Sequence, residues 1–333
     1  MEDKTFKTLE EQIDILKSRN MRFRDEESAK YVLINNSYYG IINSYKELFQ
    51  QKKAKDSNID YGNQLFEDVL EDTLLICDFD KSLASILYKY IMMVETTFKS
   101  SLSYYISLEL GSDQQRYLDK SSYSNGYVIQ TGAFKGAYSI EKTFDKVTSR
   151  IEDSRITTIR HFRESYKNVP PWIVIPTLSL GVVYEWYKLC RSSIKSSVAN
   201  IFLYPQKPDE LKKELFLQAM KAVHLYRNIV AHGSRLMIHE IPLKTRLKER
   251  LLKEYLQDDS FSSAYIYERT FRVFALFASI CVLLSNRPAI KHEFIKELAY
   301  LFKQLQRKDS RIYDLLLYRV YLPRNFIELL QKI

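Results

Sequence analysis

The first 169 residues of the chain contain no proline, and the 333 residues together include only 8 prolines and 8 glycines. Average usage would give roughly 40 residues of these two types in a chain this long. β-Sandwiches, β-barrels and glycine-loop nucleotide folds depend on many tight turns, so this scarcity argues against all three. Long helices are the natural alternative, and we predict an all-α fold.

Signals for export, for membrane insertion and for structural cysteine chemistry are missing from the sequence. The N-terminal stretch MEDKTFKTLEEQ is charged and has no apolar signal core. The apolar run at 273–286 is too short to span a bilayer. Cys77, Cys190 and Cys281 lie far apart, which argues against a disulfide framework and a zinc ribbon. We therefore expect a reduced, cytoplasmic protein that does not bind membranes.

Helical periodicity and helix-start signals recur along the chain. Thr8 and Glu11 have the spacing of a capping box, which predicts a helix start. Proline in the first turn predicts another helix start at 170–172. Further helices are predicted at 25–36, 71–108, 140–167 and 209–232, with about four more beyond residue 242, and loops at 51–62 and 120–139. We expect the 120–139 loop to be flexible.

Positive charge is concentrated near the C-terminus. The whole chain has a formal net charge of +9, and residues 241–333 hold 17 Lys and Arg against 10 Asp and Glu. A basic surface favours a polyanionic partner, of which nucleic acid is the usual one. A solvated face with scattered lysines is the alternative.

Possible chemistry is concentrated at the end of the helix predicted at 209–232. His224, Asn228 and His232 follow one another at steps of four, which places them in one stripe, with Arg227 beside His224. The stripe lies at a helix C-terminus just before Gly233, where the helix dipole favours a protonated imidazole.

An arginine and a histidine placed in this way suit the cleavage of a phosphodiester. The arginine would hold the non-bridging oxygens, and the histidine would move protons on and off the 2′-hydroxyl or the leaving 5′-oxygen. Asn228 would orient either group, and no metal or other cofactor is needed. RNA would be cut and DNA would not, because the 2′-hydroxyl is the nucleophile. The alternative is a structural role for the stripe, as an interhelical hydrogen-bond network or a capping cluster.

The segment 227–232, RNIVAH, fits the R-x4-6-H signature of HEPN ribonucleases. With the GSRL that follows, it resembles the Abi-like abortive-infection family of the AbiD/AbiF type. Further blocks resemble those of the family and occur in its order: EEQIDILKSR at 10–19, NSYY at 36–39, DFDKSL at 78–83 with Glu95 after it, PPW at 170–172 and LSLG at 178–181. Three positions depart from the family pattern, namely Gly233 for a second histidine, Gly40 for an arginine and Lys81 for an arginine.

This resemblance implies an Abi-like HEPN domain over residues 1–240, a helical bundle to which a basic, all-helical extension at 241–333 is added. It implies a composite active site in a homodimer, to which each protomer brings an arginine and a histidine. Arg227, Asn228 and His232 would be the catalytic set. The function implied is that of a phage-defence toxin, an endoribonuclease restrained by a partner such as a small non-coding RNA antitoxin.

Four further residues are predicted to contact the RNA substrate. Arg235 would bind a phosphate, and His224 would be a second proton carrier. Tyr38 and Tyr39 would stack on bases. The alternatives are an ion pair between Arg235 and a carboxylate, and core packing of the two tyrosines.

Two other functions fit the same sequence. The chain could be an RNA-binding HEPN module without turnover, in which the basic C-terminal part captures a structured RNA. It could also be a scaffold that acts in a defence complex through protein contacts alone.

Overall fold

A computed structural model of the chain describes residues 5–49, 69–231, 235–239, 247–258 and 273–333. These residues form sixteen α-helices and a short 3-10 helix, and they include no β-strand beyond an isolated bridge between Val128 and Tyr138. The prediction of an all-α fold is therefore confirmed. The helices are, in chain order, α1 (Leu9–Ser18), α2 (Glu26–Asn36), α3 (Tyr38–Phe49), α4 (Val69–Leu110), α5 (Gln114–Tyr117), α6 (Ser139–Glu152), α7 (Thr157–Tyr166), α8 (Pro171–Thr177), α9 (Leu180–Leu189), α10 (Ser192–Phe202), α11 (Asp209–Ala231), α12 (Glu249–Leu256), α13 (Val273–Leu283), α14 (Pro288–Lys308), α15 (Ser310–Val320) and α16 (Phe326–Lys332).

The first helices begin at the side-chain caps that the sequence predicts. Thr8 Oγ1 accepts a hydrogen bond from the backbone N–H of Glu11, and the Glu11 carboxylate accepts one from the N–H of Thr8. Asp25 caps α2 by accepting from the N–H of Ser28. Each cap satisfies a backbone donor that a helix start would otherwise leave without a partner.

Helix α4 has 42 residues and is the element against which much of the bundle packs. At a rise of 1.5 Å per residue it is about 60 Å long. Its apolar positions are buried along most of its length, and α3, α8, α10, α11 and α14 all pack against it. The long helix predicted at 71–108 is therefore confirmed and is slightly longer at both ends.

Helix α11 runs antiparallel to α4. Phe98 of α4 contacts Phe216 near the start of α11, with ring centroids 5.6 Å apart, whereas Glu95 lies against Arg227 near its end. Helix α13 packs against another part of α11, and every one of its residues is buried. A helix that is apolar all round is expected to lie in a protein core, as this one does.

The structure corrects one helix prediction and adds two details that the sequence left open. The prediction of a single helix at 140–167 is wrong, because α6 and α7 are separate helices. Between them, Asp153 accepts hydrogen bonds from the backbone and the side chain of Arg155. The aromatic residues at 38–42 begin helix α3. Trp172 starts α8 as expected, but its side chain is exposed and does not join the core. The loop predicted at 51–62 lies outside the described residues.

The segment 120–139 contacts the bundle through buried side chains. Tyr123 is buried, its ring packs edge-on against Phe144, and its hydroxyl donates to the carbonyl of Tyr117. Gly126 has φ +77°, and a Cβ there would come within 2.1 Å of Ser139 Oγ. The predicted flexibility of this segment and the predicted domain boundary at residue 240 both stay predictions.

The close packing at Gly126 is open to a direct test. Gly126→Ala should lower the free energy of unfolding by about 3 kcal/mol, because a left-handed φ and a steric clash act together. Gly132 has a similar φ of +79° but open space around it. Gly132→Ala should therefore cost only about 1 kcal/mol, from backbone strain alone. Urea denaturation measures both losses, and equal losses in the two variants would contradict the packing described here.

Candidate functional site

The guanidinium of Arg227 lies beside a buried carboxylate. Glu95 Oε2 is 3.5 Å from Arg227 Nε, and Glu95 Oε1 is 2.7 Å from Lys99 Nζ. The Glu95 side chain is 4% exposed and that of Arg227 is 32% exposed. Two cations share one carboxylate, so the group keeps a net positive charge, part of which faces solvent. Such a group attracts an anion such as a phosphate.

His224 lies one turn before Arg227 and is half-buried against helix α9. A Cβ on Gly181 would come within 2.8 Å of His224 Cε1, so the absence of a side chain at Gly181 makes room for the imidazole. The imidazole also stacks on the ring of Tyr184, with an interplanar angle of 17°. Burial lowers the pKa of His224, and the charge of Lys221 lowers it further. The protonated imidazole expected from the helix dipole is therefore not favoured at this position.

The other members of the predicted catalytic set have different surroundings. Asn228 is exposed on the helix face four residues after His224. Leu225 and Ile229 pack against the core, and Val230 is buried, as expected for the opposite face. His232, which the sequence singles out as the main proton carrier, lies outside the described residues.

The chain that follows the motif is held by Asp80 of helix α4. The backbone N–H of Leu236 donates to Asp80 Oδ2 at 2.9 Å, and the N–H of Met237 donates to Asp80 Oδ1 at 3.0 Å. The Tyr45 hydroxyl donates to the same carboxylate at 2.7 Å. Leu236 and Met237 are themselves fully buried. Asp80 thus fixes the backbone four and five residues beyond His232, the last residue of the R-x4-H motif.

The Asp80 carboxylate is stabilised by hydrogen bonds from a tyrosine hydroxyl and two backbone N–H groups. It is 3% exposed, and burial raises its pKa to about 6. The bonds from Tyr45, Leu236 and Met237 favour the ionised form and offset part of the effect of burial. Asp80 therefore acts structurally, by holding the backbone at 236–237.

The remaining predicted contact residues lie around helix α3. Arg235 is exposed, and its guanidinium donates to the backbone carbonyls of Asn43 and Ser44 at 3.3 Å each. Tyr38 is partly buried, and its hydroxyl accepts from Arg19 at 2.9 Å. Tyr39 is 76% exposed, so the alternative of core packing is wrong for this residue.

A cleft of about 1240 Å³ lies beside the C-terminal end of α11. Its walls come from α2, α3, α4, the last turn of α11, the 235–239 segment and the end of α15. Tyr39, Asp80 and Arg235 all line it, whereas Arg227 lies about one helical turn before the α11 residues of its wall. The cleft therefore brings predicted contact residues together next to the predicted catalytic helix.

The described residues offer neither a metal-binding cluster nor a membrane-spanning helix. No group of three or more His, Cys, Asp or Glu side chains in the described part of the chain is arranged to hold a metal ion. Within the same ranges, no helix is both long enough and apolar enough to cross a bilayer.

The R-x4-H motif begins within a region of the chain that matches a known protein family. The family model described as Abi-like protein matches residues 31–237, which is more than half of the chain. The chain belongs to the Abi-like protein family. This membership indicates a role in abortive infection, a defence against phage. No curated protein and no solved structure matches the chain. The matched range includes Asp80, Glu95, Gly181 and Arg227, the residues that shape the site.

Sequence reasoning missed the partners of the predicted residues. Glu95 and Lys99 have the i, i+4 spacing of a helical ion pair, and that signal was available in the sequence. The contact of Gly181 with His224 and that of Asp80 with Leu236 join distant parts of the chain. No local pattern predicts such contacts.

The raised pKa of Asp80 predicts how stability depends on pH. The ordinary pKa of an aspartate is 3.8, whereas that of folded Asp80 is about 6. Between these values the folded state binds more protons than the unfolded chain, so this group makes stability fall as pH rises. The unfolding free energy of the wild type minus that of Asp80→Asn should therefore fall by about 1 kcal/mol from pH 5 to pH 7.5.

Urea denaturation at the two pH values measures this difference. Tyr45→Phe is the companion variant, because it removes one hydrogen bond that favours the ionised form and should steepen the fall. A difference that grows with pH would show that the hydrogen bonds outweigh burial.

Proposed function

We propose that the chain is an abortive-infection toxin, a metal-independent HEPN endoribonuclease active as a homodimer. In this proposal each protomer contributes Arg227 and His232 to a cleft between the two copies, and Asn228 orients one of these groups. A partner such as a small non-coding RNA restrains the toxin until infection. The observation that carries the proposal is the Arg227 guanidinium, partly exposed and held over the buried Glu95–Lys99 pair.

The surroundings of Arg227 support a role in binding phosphate. Glu95 is buried and lies within ion-pair distance of two cations, so it does not cancel the positive charge of the group. Arg227 lies on the described part of α11, which ends at Ala231, and Asp80 holds the chain again from Leu236. The proposed proton carrier, His232, belongs to the short stretch between these two fixed points.

The proposed reaction is transfer within the RNA strand. A histidine takes the proton from the 2′-hydroxyl, and the 2′-oxygen forms a bond to the adjacent phosphorus while the bond from phosphorus to the 5′-oxygen breaks. A second histidine protonates the leaving 5′-oxygen. Arg227 stabilises the charge that develops on the non-bridging oxygens. The products carry a 2′,3′-cyclic phosphate and a 5′-hydroxyl.

A second candidate is an RNA-binding protein without turnover. The observation that favours it is the basic balance of residues 241–333, with 17 Lys and Arg against 10 Asp and Glu. Binding of this kind depends on phosphate contacts and falls steeply with salt. It would not depend on Arg227 or His232.

Induction of the chain in a bacterial host distinguishes the two candidates. The wild type should stop growth and fragment cellular RNA, whereas Arg227→Ala and His232→Ala should each lower cleavage by about a hundredfold or more and relieve toxicity. Growth curves and RNA sequencing of cleavage ends are the measurements.

The matched control is Arg160→Ala, an exposed arginine on α7. It removes the same charge elsewhere and should stay as toxic as the wild type. Equal protein levels and unchanged helical circular dichroism show that the variants fold. Full toxicity of a folded His232→Ala protein would contradict the proposal and favour RNA binding alone.

A further inference from the structure

The cleft beside α11 is too large for a typical small-molecule site. Its volume is about 1240 Å³, whereas pockets for drug-sized ligands have about 300–1,000 Å³. Elements from both ends of the chain line it, namely α2 to α4 and the end of α15. An extended ligand is the better fit for such a space.

Three tyrosines that line the cleft keep their rings accessible. Tyr39 of α3 is 76% exposed, Tyr88 of α4 is 40% exposed and Tyr318 of α15 is 72% exposed. Aromatic side chains usually bury a large apolar area, so three exposed rings around one cleft indicate a surface that receives a ligand. Stacking of unpaired bases on aromatic rings is the recurring mode of single-strand binding.

The charges along the cleft suit a polyanion. Lys81, Arg235 and Arg319 line it. Among the described residues that line the cleft, the single carboxylate is Asp80, and its oxygens accept hydrogen bonds from Tyr45, Leu236 and Met237. Three cations therefore line the cleft, of which Lys81 also lies 3.6 Å from Asp78, while the Asp80 carboxylate is taken up by its own hydrogen-bond donors.

We infer that this cleft binds a single-stranded segment of the RNA substrate, with bases stacked on Tyr39, Tyr88 and Tyr318 and phosphates near Lys81 and Arg235. This inference rests on the proposed function. The last turn of α11 forms one wall of the cleft, and the proposed catalytic Arg227 lies about one turn before that wall. Paired bases cannot open their faces to tyrosines, so duplex RNA is excluded.

Part of this cleft lies outside the family match. The match covers residues 31–237, whereas Tyr318 and Arg319 belong to α15 near the C-terminus. The C-terminal helices of this chain thus supply one side of the RNA path, and they give the basic extension a role in selecting substrate.

The test measures RNA binding apart from cleavage. Full-length His232→Ala protein is titrated into a fluorescein-labelled oligouridine of about ten nucleotides, and fluorescence anisotropy gives the dissociation constant. Adding Tyr39→Ala and Tyr318→Ala should weaken binding by about 10- to 100-fold. Tyr39→Phe with Tyr318→Phe should keep the affinity, because the stacking faces remain.

The control is Tyr300→Ala, which removes an exposed ring on α14 away from the cleft and should leave the affinity unchanged. Duplex RNA should fail to compete. Unchanged affinity in the double alanine variant would overturn the inference, as would equal competition by duplex. Loss of a dimer in that variant, with RNA affinity unchanged, would also overturn it and make the cleft a contact between two copies.

Failure of this inference is distinguishable from failure of the proposed function. If the tyrosines do not matter for binding but Arg227→Ala still abolishes cleavage, the nuclease proposal stands and the cleft is not the RNA path. If binding depends on the tyrosines but the wild-type protein never cleaves RNA, the cleft stands and the nuclease proposal fails.

Discussion

Two buried carboxylates on helix α4 hold both sides of the motif. Asp80 and Glu95 are each about 3% exposed, and a buried carboxylate without partners is costly. Glu95 finds its partners in Lys99 and Arg227, and Asp80 finds them in Tyr45 and two backbone N–H groups. The two carboxylates lie about 22 Å apart along the helix. Because α4 and α11 run in opposite directions, Glu95 lies against Arg227 at the start of the motif and Asp80 lies against Leu236 after its end.

Much of the fold could be predicted from local patterns in the sequence. The scarcity of glycine and proline indicated helices, the capping box at Thr8 marked the first helix, and the periodic residues marked α4. The start of α11 was predicted at Asp209, where the structure has it. These features depend on residues that are close together in the sequence, so local patterns are enough to predict them.

The site could be predicted only in part. The sequence singled out Arg227, and the structure places the buried Glu95 carboxylate 3.5 Å from its Nε. It also suggested a protonated stripe, but burial of His224 against Gly181 opposes the charge there. The cleft with Tyr318 escaped prediction for the same reason. Each depends on contacts between residues far apart in the chain. Helical periodicity indicates which face of a helix is buried, but it does not indicate which other helix packs against that face.

The most direct test of attack by the 2′-hydroxyl uses two oligonucleotides that differ at one atom. Once the purified protein has been shown where it cuts an RNA, the same RNA is made with a single 2′-deoxy nucleotide at the cleaved position. In the presence of a metal chelator, the all-ribose strand should be cut to leave a 2′,3′-cyclic phosphate and a 5′-hydroxyl, and the deoxy strand should stay intact at that position. Cleavage of the deoxy strand, with a 5′-phosphate on the product, would contradict the roles given to Arg227 and His232.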